Sequence, residues 1–599
     1  MRRPTTILGV SCFFHDSAAC LVREGRIVAA AQEERFTRQK HDSSFPVNSI
    51  NYCLEEARCG EQELDIISFY EQPSLALDRW IRTSVKTTAD IDTVRLTRLG
   101  SSWGRHRLNL EALIARHVSR FSGKLLFSEH HLSHASSAFF PSSFSEAGVL
   151  TVDGVGEWAT AAIFTGSGNR LVLNKEMSYP HSLGLLYSAF TYYTGFKVNS
   201  GEYKFMGLAS YGDPIYYDLL REKVVQINED GSIYLNMSYF DYLRGDRMTS
   251  PAMDGLFGGP PRPASASITK RETDIAASVQ KITEQALLKM AVHVRKETSC
   301  RNLCLAGGVA LNCVANGTIL RSGLFDDIWI QPASGDAGGA LGAALGAWHL
   351  YLGKPRHPAK GRDEMQGALL GNSYTAEEVK DFLELYGFPY EEIPETDVSA
   401  RIAEILVDGK VVGLFHGRME YGPRALGNRS ILADPRPADM QKRLNLQIKF
   451  RESFRPFAPV VMREKMSEWF EMDHDSPYML LVAPVHQSKR TGATDKLGED
   501  LLERLNRVRS QIPAVTHVDN SARIQTVDER LNPLLHDVLS EFFAQTGVPV
   551  LVNTSFNVRG EPIVCTPMDA YRCMMRTEID FIVLENILVD RRKQPVWSS

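Results

Sequence analysis

The chain has 599 residues, of which 43% are hydrophobic and 23% charged, with a formal net charge of −5 at pH 7. This composition excludes a disordered or collagen-like chain, and the length predicts several domains, each with its own core. The acidic balance argues against a general nucleic-acid-binding protein, because such a protein needs a basic surface to neutralise phosphates.

The first predicted elements form a repeat. Residues 7–22, ILGVSCFFHDSAACLV, align without a gap on residues 149–164, VLTVDGVGEWATAAIF. Each copy reads as strand, polar loop, strand, turn, strand. The match over three strands favours an internal duplication over two unrelated hairpins. Two facing lobes whose glycine-rich turns bind nucleotide phosphates through backbone N–H groups are typical of an actin-like or sugar-kinase-like ATPase fold.

Helical spacing of apolar residues predicts helices over 44–57 and 267–299, the second followed by a short strand. A stretch rich in Gly, Pro and charge at 354–367 is the predicted linker. It separates an actin-like domain, 1–353, from a C-terminal α/β domain, 368–599.

The cysteines and the N-terminus predict a location. Nine cysteines without a Cys-x-x-Cys pair indicate a reduced protein without a zinc ribbon. The N-terminus has no continuous apolar stretch of the secretory type, and the most membrane-like segment, 337–348, is too short to span a bilayer. We expect a cytoplasmic protein with no membrane or nucleic-acid partner, and a homodimer is the working expectation for its assembly.

Two histidines four residues apart are the sharpest local feature. Ser128 is placed to cap a helix that presents His130 and His134 on one face, where both imidazoles would reach one metal ion. Asp153, in the second repeat's loop, and Asp336, opening a small-residue helix, complete a mixed nitrogen and oxygen set. Each residue has a plainer alternative role, as a hydrogen-bonding histidine, a turn residue or a helix cap. As a metal site the set favours Fe²⁺ over Ca²⁺, with Mn²⁺, Mg²⁺ and Zn²⁺ as alternatives.

Glycine-rich turns that follow strands are the candidate ATP site. The glycines allow close approach of the backbone, and a side-chain amide could reach a nucleotide. The predicted nucleotide-binding residues are Gly154, Gly156, Glu157, Gly307, Gly308, Asn312 and Asp336.

The C-terminal domain carries a cationic window. Residues 418–463 hold ten Lys and Arg against four Asp and Glu, a net charge of +6, which leaves −11 for the rest of the chain. Such a run is usually a solvated face. Here it is interleaved with Gly, Pro and Phe, and arginine forks bind phosphate bidentately, so a small phosphorylated ligand is predicted.

Several motifs together resemble the NodU/CmcH-type O-carbamoyltransferase family, and they cover nearly the whole chain. They are GVSCFFHDSAA, EERFTRQKHD, HHLSHASSA, TVDGVGE, GEYKFMGLASYG, AGGVALNC, SGDAGGALGAA, GRMEYGPRALGNRSILADPR, KFRESFRPFAPVV and NTSFNVRGEPIVCTP. The resemblance implies an N-terminal domain similar to threonylcarbamoyl-transfer enzymes and a C-terminal domain that forms carbamoyl adenylate from carbamoyl phosphate and ATP. The carbamoyl group would then pass to a hydroxyl of a small-molecule acceptor, as in antibiotic or other secondary metabolism.

The resemblance also implies residue roles. It makes His130, His134, Asp153 and Asp336 the metal ligands. The residues expected to bind carbamoyl phosphate and the adenylate phosphates are Arg424, Lys449, Arg455, Arg523, Asn553 and Ser555.

The first repeat's loop offers a proton acceptor. His15 is a candidate general base, since an imidazole titrates near neutrality, and Asp16 would orient it. A plain turn-capping role for the pair is the alternative. Lys40, Glu202 and Lys204 are candidates for lining the acceptor or adenylate site.

Three other functions compete with this interpretation. An ATP-dependent small-molecule kinase would share the fold but would form ADP and would not need the cationic domain. A noncatalytic ATP-driven interaction module would need a peptide-binding domain. Threonylcarbamoyl transfer to tRNA would need a basic surface that the acidic chain lacks.

Overall fold

A computed structural model describes residues 3–87, 108–244, 247–359, 361–493 and 501–596. The chain divides into two compact units. The first comprises Met1–Thr37 and His41–Glu364, and the second comprises Arg38–Lys40 and Met365–Ser599. Across the described residues, no helix has both the length and the apolar character needed to cross a membrane. The nine cysteines all fall within these ranges and are free thiols.

The first unit contains two sheets of the same topology. Within the described residues its strands are β1 Thr6–Ser11, β2 Ala18–Arg23, β3 Arg26–Gln32, β4 Ile66–Phe69, β5 Lys124–Phe127, β6 Glu146–Val152, β7 Ala159–Ser167, β8 Arg170–Ser178, β9 Val225–Ile227, β10 Ile233–Leu235, β11 Asn302–Ala306 and β12 Asp327–Ile330. The sheet orders are β3-β2-β1-β4-β5 and β8-β7-β6-β11-β12. In each sheet the first three strands form an antiparallel meander and the last two lie parallel to the first. The predicted duplication and the actin-like fold are thus confirmed.

Helices cover these sheets. In the described part of the first unit they are Glu34–Thr37, Val47–Glu56, Pro73–Thr87, Leu110–His117, His130–Phe139, Leu183–Tyr193, Glu202–Ala209, Tyr217–Lys223, Pro251–Phe257, Lys270–Thr298, Cys313–Arg321 and Asp336–Gly346. The predicted helices at 44–57 and 267–299 are present with shorter ends. Thr269 and Glu272 form a capping box that begins the long helix, which explains its start.

The second unit is built on one mixed sheet of nine strands among the residues described. They are β13 Glu391–Glu392, β14 Val412–Phe415, β15 Arg429–Ala433, β16 Ala458–Met462, β17 Leu481–Pro484, β18 Ser521–Val527, β19 Val550–Ser555, β20 Phe581–Leu584 and β21 Ile587–Asp590. The order is β13-β21-β20-β14-β15-β19-β16-β18-β17. Its described helices are Ala376–Tyr386, Val398–Val407, Met440–Arg443, Met466–Trp469, Leu501–Leu505, Pro533–Thr546 and Pro567–Met575. The predicted C-terminal α/β domain is therefore present.

Candidate functional site

Close helix packing brings the candidate metal ligands together. A Cβ added to Gly342 would lie 2.7 Å from the carbonyl carbon of Ser133, inside van der Waals contact. On the other side of the same helix, a Cβ at Gly9 of β1 would lie 2.9 Å from the carbonyl carbon of Ala340. Glycine therefore allows Asp336–Gly346 to pack tightly on both β1 and the helix His130–Phe139. Asp336, at the start of this helix, is thereby held close to the two histidines.

Four side chains from two helices and one loop converge at this point. The Nε2 atoms of His130 and His134 are 3.1 Å apart, and each lies 3.0 Å from Asp153 Oδ2. Asp336 Oδ1 is 3.9 Å from both nitrogens. Both imidazoles and Asp336 are buried. The two histidines and the two carboxylates form one group whose donor atoms could hold a single metal ion.

Backbone groups of two glycine turns orient Asp153. Its Oδ1 accepts the N–H of Gly154 at 2.7 Å and that of Gly308 at 3.3 Å, which turns Oδ2 toward the imidazoles. A Cβ at Gly308 would lie 2.9 Å from Oδ1, so the close approach requires glycine. Gly307, before it, has φ +88°, the left-handed region that favours glycine. The turn predicted to bind nucleotide therefore also positions a candidate metal ligand.

The donor set fits a divalent transition metal. Ligand atoms bound at about 2.0–2.2 Å to one ion lie roughly 3 to 3.6 Å from one another. The distances among the two Nε2 atoms and Asp153 Oδ2 match this range, and those from Asp336 Oδ1 to the Nε2 atoms are slightly longer. Asp336 Oδ2 is buried and has no hydrogen-bond partner among the described residues. A buried carboxylate oxygen without a hydrogen-bond donor is costly unless a cation compensates it. Two imidazoles with two carboxylates suit Fe²⁺, Mn²⁺ or Zn²⁺ better than Ca²⁺.

Charges in the cluster shift its pKa values. Burial alone would lower the pKa of His130, but the hydrogen bond to Asp153 and the charge of Asp336 raise it to about 9. Burial alone would raise the pKa of Asp153, yet its hydrogen bonds to both histidines hold it well below its usual range. The adjacent His131 differs, because burial lowers its pKa to about 3 and its ring contacts Thr151 and Ala159 instead.

His15 lies beside this cluster. Its Nε2 is 3.9 Å from Asp336 Oδ2, and its Nδ1 is 3.0 Å from Asp16 Oδ2. Although burial opposes protonation, the charge of Asp336 and the hydrogen bond to Asp16 raise the pKa of His15 to about 10. Hydrogen bonds from His15 and His41 hold the pKa of Asp16 low against its burial. The structure thus places the predicted base and its orienting carboxylate next to the candidate ligands.

Some predicted nucleotide residues have local partners. Glu157 accepts the backbone N–H of His130 through both carboxylate oxygens, at 3.0 and 3.1 Å, and that of Gln72 at 2.7 Å. It therefore caps the helix His130–Phe139, the role that we predicted for Ser128, whose hydroxyl instead donates to the carbonyl oxygen of Glu129. Asn312 accepts the Ala315 N–H at the start of its own helix.

The candidate acceptor residues are also engaged locally. Glu202 accepts the Ser188 hydroxyl at 2.9 Å and the backbone N–H groups of Asn199 and Gly201 at 3.0 and 3.1 Å. The Lys204 ammonium lies 5.8 Å from the ring centroid of Phe196. These contacts order the turn before the helix Glu202–Ala209.

In the second unit, Lys449 is a buried cation. Its ammonium donates to the carbonyl oxygens of Ser555 and Asn557, at 2.5 and 2.8 Å, and to Asn557 Oδ1 at 2.7 Å. Burial lowers its pKa well below the usual range, and the charges of Arg451, Arg455 and Lys40 add to that effect. The positive charges of Arg451, Arg455 and Lys40 thus act on the Lys449 site, an arrangement suited to an anion.

The loop that bears Arg424 is fixed by neighbouring side chains. Glu420 Oε1 accepts the backbone N–H groups of Leu426, Asn428 and Arg429 at 2.7, 2.8 and 3.2 Å. Asn553 and Gln525 donate their amide N–H groups to the carbonyl oxygens of Ala425 and Leu426, and Asn553 also donates to Gln525 at 2.6 Å. The structure therefore shows Asn553 holding this loop. Arg424, Arg455 and Arg523 are half-buried.

The cationic window is less available to a ligand than its charge suggests. Arg429 is fully buried and donates to four backbone carbonyl oxygens over the ring of Phe415. Arg418 also donates to backbone carbonyls, and carboxylates pair with three further arginines. Those three pairs are Arg436–Asp434, Arg443–Asp580 and Arg463–Asp475. Half of the ten cations are therefore occupied by groups of the protein, Arg436 by a carboxylate two residues away and the other four mainly by groups 12 or more residues away.

Comparisons with known proteins agree over most of the chain. Residues 6–345 match the family described as Carbamoyltransferase N-terminus, and residues 403–591 match Carbamoyltransferase C-terminus. An uncharacterized protein, sll1178 of Synechocystis sp., is 53% identical over 99% of this chain and 97% of its own length. Nodulation protein NolNO of Sinorhizobium fredii is 37% identical over 97% of this chain and 79% of its own.

A third relative has a named activity. The 3'-hydroxymethylcephem-O-carbamoyltransferase of Amycolatopsis lactamdurans is 28% identical over 95% of this chain and 96% of its own length. The two family matches cover the ligand cluster in the first unit and the cations in the second. The chain belongs to the NodU/CmcH-type carbamoyltransferase family and is a transferase.

Proposed function

We propose that this protein is an ATP-dependent O-carbamoyltransferase. In the second unit, water hydrolyses carbamoyl phosphate to carbamate and phosphate, and the carbamate oxygen then attacks the α-phosphate of ATP, which forms carbamoyl adenylate and releases pyrophosphate. The first unit passes the carbamoyl group to a hydroxyl of a small-molecule natural product, antibiotic-like or Nod-factor-like, and AMP leaves. The named activity of the cephem relative supports a hydroxyl acceptor.

The convergence of His130, His134, Asp153 and Asp336 beside His15 is the observation that carries the proposal. These four residues would hold the divalent metal, with Fe²⁺ as the first candidate. When bound, such a cation would polarise the carbamoyl carbonyl and offset the carboxylate charges that keep His15 protonated. Burial of the cluster restricts the access of water, which slows hydrolysis of an activated carbamoyl group, so AMP release with water as the acceptor is slow.

His15 accepts the proton of the attacking hydroxyl in this proposal. An alcohol becomes a better nucleophile as its proton is removed, and general bases contribute typically about 10²–10⁴-fold to such steps. Asp16 orients the imidazole by accepting its Nδ1–H. Gly154, Gly156 and Gly307 line the turns where backbone N–H groups would bind the adenylate.

The cations around Lys449 support the donor half-reaction. Arg424, Arg455 and Arg523 would bind carbamoyl phosphate and the adenylate phosphates, since guanidinium groups match phosphate geometry. Ser555 lies beside the Lys449 ammonium, at 3.3 Å through its hydroxyl. Activation as an adenylate is needed because carbamate is a poor electrophile.

Product analysis tests the proposal. The purified protein is incubated with Fe²⁺, Mg²⁺, ATP and carbamoyl phosphate, with a 3'-hydroxymethylcephem as the probe acceptor, and nucleotides are separated by chromatography. We expect formation of AMP and pyrophosphate to require carbamoyl phosphate. Release of AMP should be slow when no acceptor is added. ADP as the sole nucleotide product would instead favour the small-molecule kinase and refute the adenylate.

A further inference from the structure

One carboxylate joins two histidines in the first unit. Asp16 Oδ2 lies 3.0 Å from His15 Nδ1, and Asp16 Oδ1 lies 2.9 Å from His41 Nδ1. An ionised carboxylate only accepts hydrogen bonds, so both imidazoles must donate through Nδ1. Each oxygen of Asp16 therefore serves one ring, and His41 is linked to His15 across a shared carboxylate.

The backbone at this link is held in unusual conformations. Phe13, Asp16 and His41 have φ values of +77°, +52° and +59°, a region that non-glycine residues seldom adopt. Such residues persist where surrounding contacts enforce them, and they cluster at functional sites. Here Glu34 Oε2 accepts the His41 backbone N–H at 2.8 Å, and the Ser17 N–H donates to the carbonyl oxygen of residue 42. The two loops are thus fixed against each other.

When one oxygen of a carboxylate accepts the Nδ1–H of a histidine and its other oxygen is held by a second group, the carboxylate fixes the tautomer of that histidine. With Nδ1–H directed to Asp16, neutral His15 carries its lone pair on Nε2, the nitrogen that faces Asp336 at 3.9 Å. His41 occupies the second oxygen of the same carboxylate, through its hydrogen bond to Asp16 Oδ1. Of the His41 ring nitrogens, Nε2 is buried without a hydrogen-bond partner among the described residues, so Nδ1 makes the ring's hydrogen bond.

We propose that His41 is a positioning residue, which holds Asp16 so that Asp16 keeps the His15 ring oriented with Nε2 toward the candidate metal ligands. This role rests on the proposed function of His15 as the general base. His41 itself touches no reacting atom. It acts through Asp16. We call the hydrogen-bonded chain of His15, Asp16 and His41 the relay, in which His41 is the residue farthest from the reacting atoms.

A double-mutant cycle on the full chain tests the relay. Carbamoyl transfer is followed as AMP release from ATP and carbamoyl phosphate with water as the acceptor. Adenylate formation is followed separately by carbamoyl-phosphate-dependent exchange of pyrophosphate into ATP. We expect His41→Leu to slow carbamoyl transfer roughly ten-fold, because one charge-assisted hydrogen bond to Asp16 is lost. Pyrophosphate exchange into ATP should be unchanged. His41→Gln, which keeps an N–H donor, should stay within about three-fold of wild type. His357→Leu, at an exposed histidine outside the relay, is the matched control.

Coupling to His15 distinguishes positioning from a merely structural effect. In a His15→Ala background, His41→Leu should cost nothing further, because its effect passes through His15. An equal loss in both backgrounds, or no loss in the wild-type background, overturns the proposal. His15→Ala without any effect on transfer would refute the base itself.

Magnetic resonance keeps the two claims separable. In protein labelled with ¹⁵N-histidine, the His15 signals are assigned by their loss in His15→Ala. His41→Leu should shift the His15 ring nitrogens and speed exchange of its Nδ1 proton, while the His131 signals stay in place. Unchanged His15 signals would overturn the relay, whatever the activity of the protein.

Discussion

Substitution of Gly342 should separate the two helices that carry the candidate metal ligands. A Cβ at this position would lie 2.7 Å from the Ser133 carbonyl carbon and 2.9 Å from Ser137 N. Carbon atoms in contact need about 3.5 Å or more, and the Ser133 carbonyl oxygen lies nearer still, so Gly342→Ala must move the helices apart by roughly 0.8 Å or more. Metal–ligand distances tolerate only about 0.2 Å, so Asp336 would leave bonding range of an ion bound to His130 and His134. We expect a loss of at least roughly 100-fold in metal affinity.

Gly346→Ala is the matched control in the same helix. Its Cβ would lie 3.3 Å from the Ser136 hydroxyl, which belongs to a side chain that can rotate, and otherwise at ordinary contact distances of 3.8 Å or more. Fe²⁺ or Zn²⁺ binding to both variants is measured by calorimetry, with circular dichroism to confirm folding, since overpacking costs about 1–3 kcal/mol. Wild-type affinity in Gly342→Ala would refute the assignment of Asp336 to the same ion as the histidines.

Three further predictions concern ligands, stability and pH. His134→Ala should lower Zn²⁺ affinity by more than the roughly 10–100-fold typical of lost ligand-supporting contacts, as measured by competition with a chelator; unchanged affinity would remove it from the ligand set. Arg429→Met should destabilise the second unit by about 3 kcal/mol or more in urea unfolding, because four backbone carbonyls lose a buried donor. Burial lowers the pKa of His349 from 6.5 to about 4. As pH falls, His349 is therefore protonated in the unfolded chain before it is protonated in the folded protein. The free energy of unfolding should fall between about pH 6.5 and 4, by about 3 kcal/mol at most. His349→Gln should reduce that loss in unfolding curves at pH 7 and 5, and an unaltered pH dependence would contradict the assignment.

The repeat in the first unit and the helical face that carries His130 and His134 could be predicted, because both depend on residues that are close together in the sequence. The gap-free match of apolar strands around a polar loop indicated the duplication, and the spacing of His130 and His134 placed both on one helical face. Asp153, in the loop of the second repeat, and Asp336, at the start of a small-residue helix, could be named from their sequence context and from the family resemblance, although their distances could not.

Contacts between distant residues were not predictable in the same way. Glu157 caps the histidine helix from 27 residues away, so the nearby Ser128 was the wrong choice. Asp580 pairs with Arg443 across 137 positions, and Arg418 and Arg429 also donate to carbonyl oxygens distant in sequence, so the net charge of the window overstated the cations open to a ligand. The link from His41 to Asp16 spans 25 residues and has no local signal beyond the KHD segment.

Separate measurement of the two half-reactions tests the central claim most directly. Pyrophosphate exchange into ATP, dependent on carbamoyl phosphate, is compared with AMP release in His130→Ala and Arg455→Ala. We predict that His130→Ala keeps the exchange and loses carbamoyl transfer, whereas Arg455→Ala loses the exchange. Loss of exchange in His130→Ala, with its fold intact, would contradict the assignment of transfer to the histidine cluster and adenylate formation to the second unit.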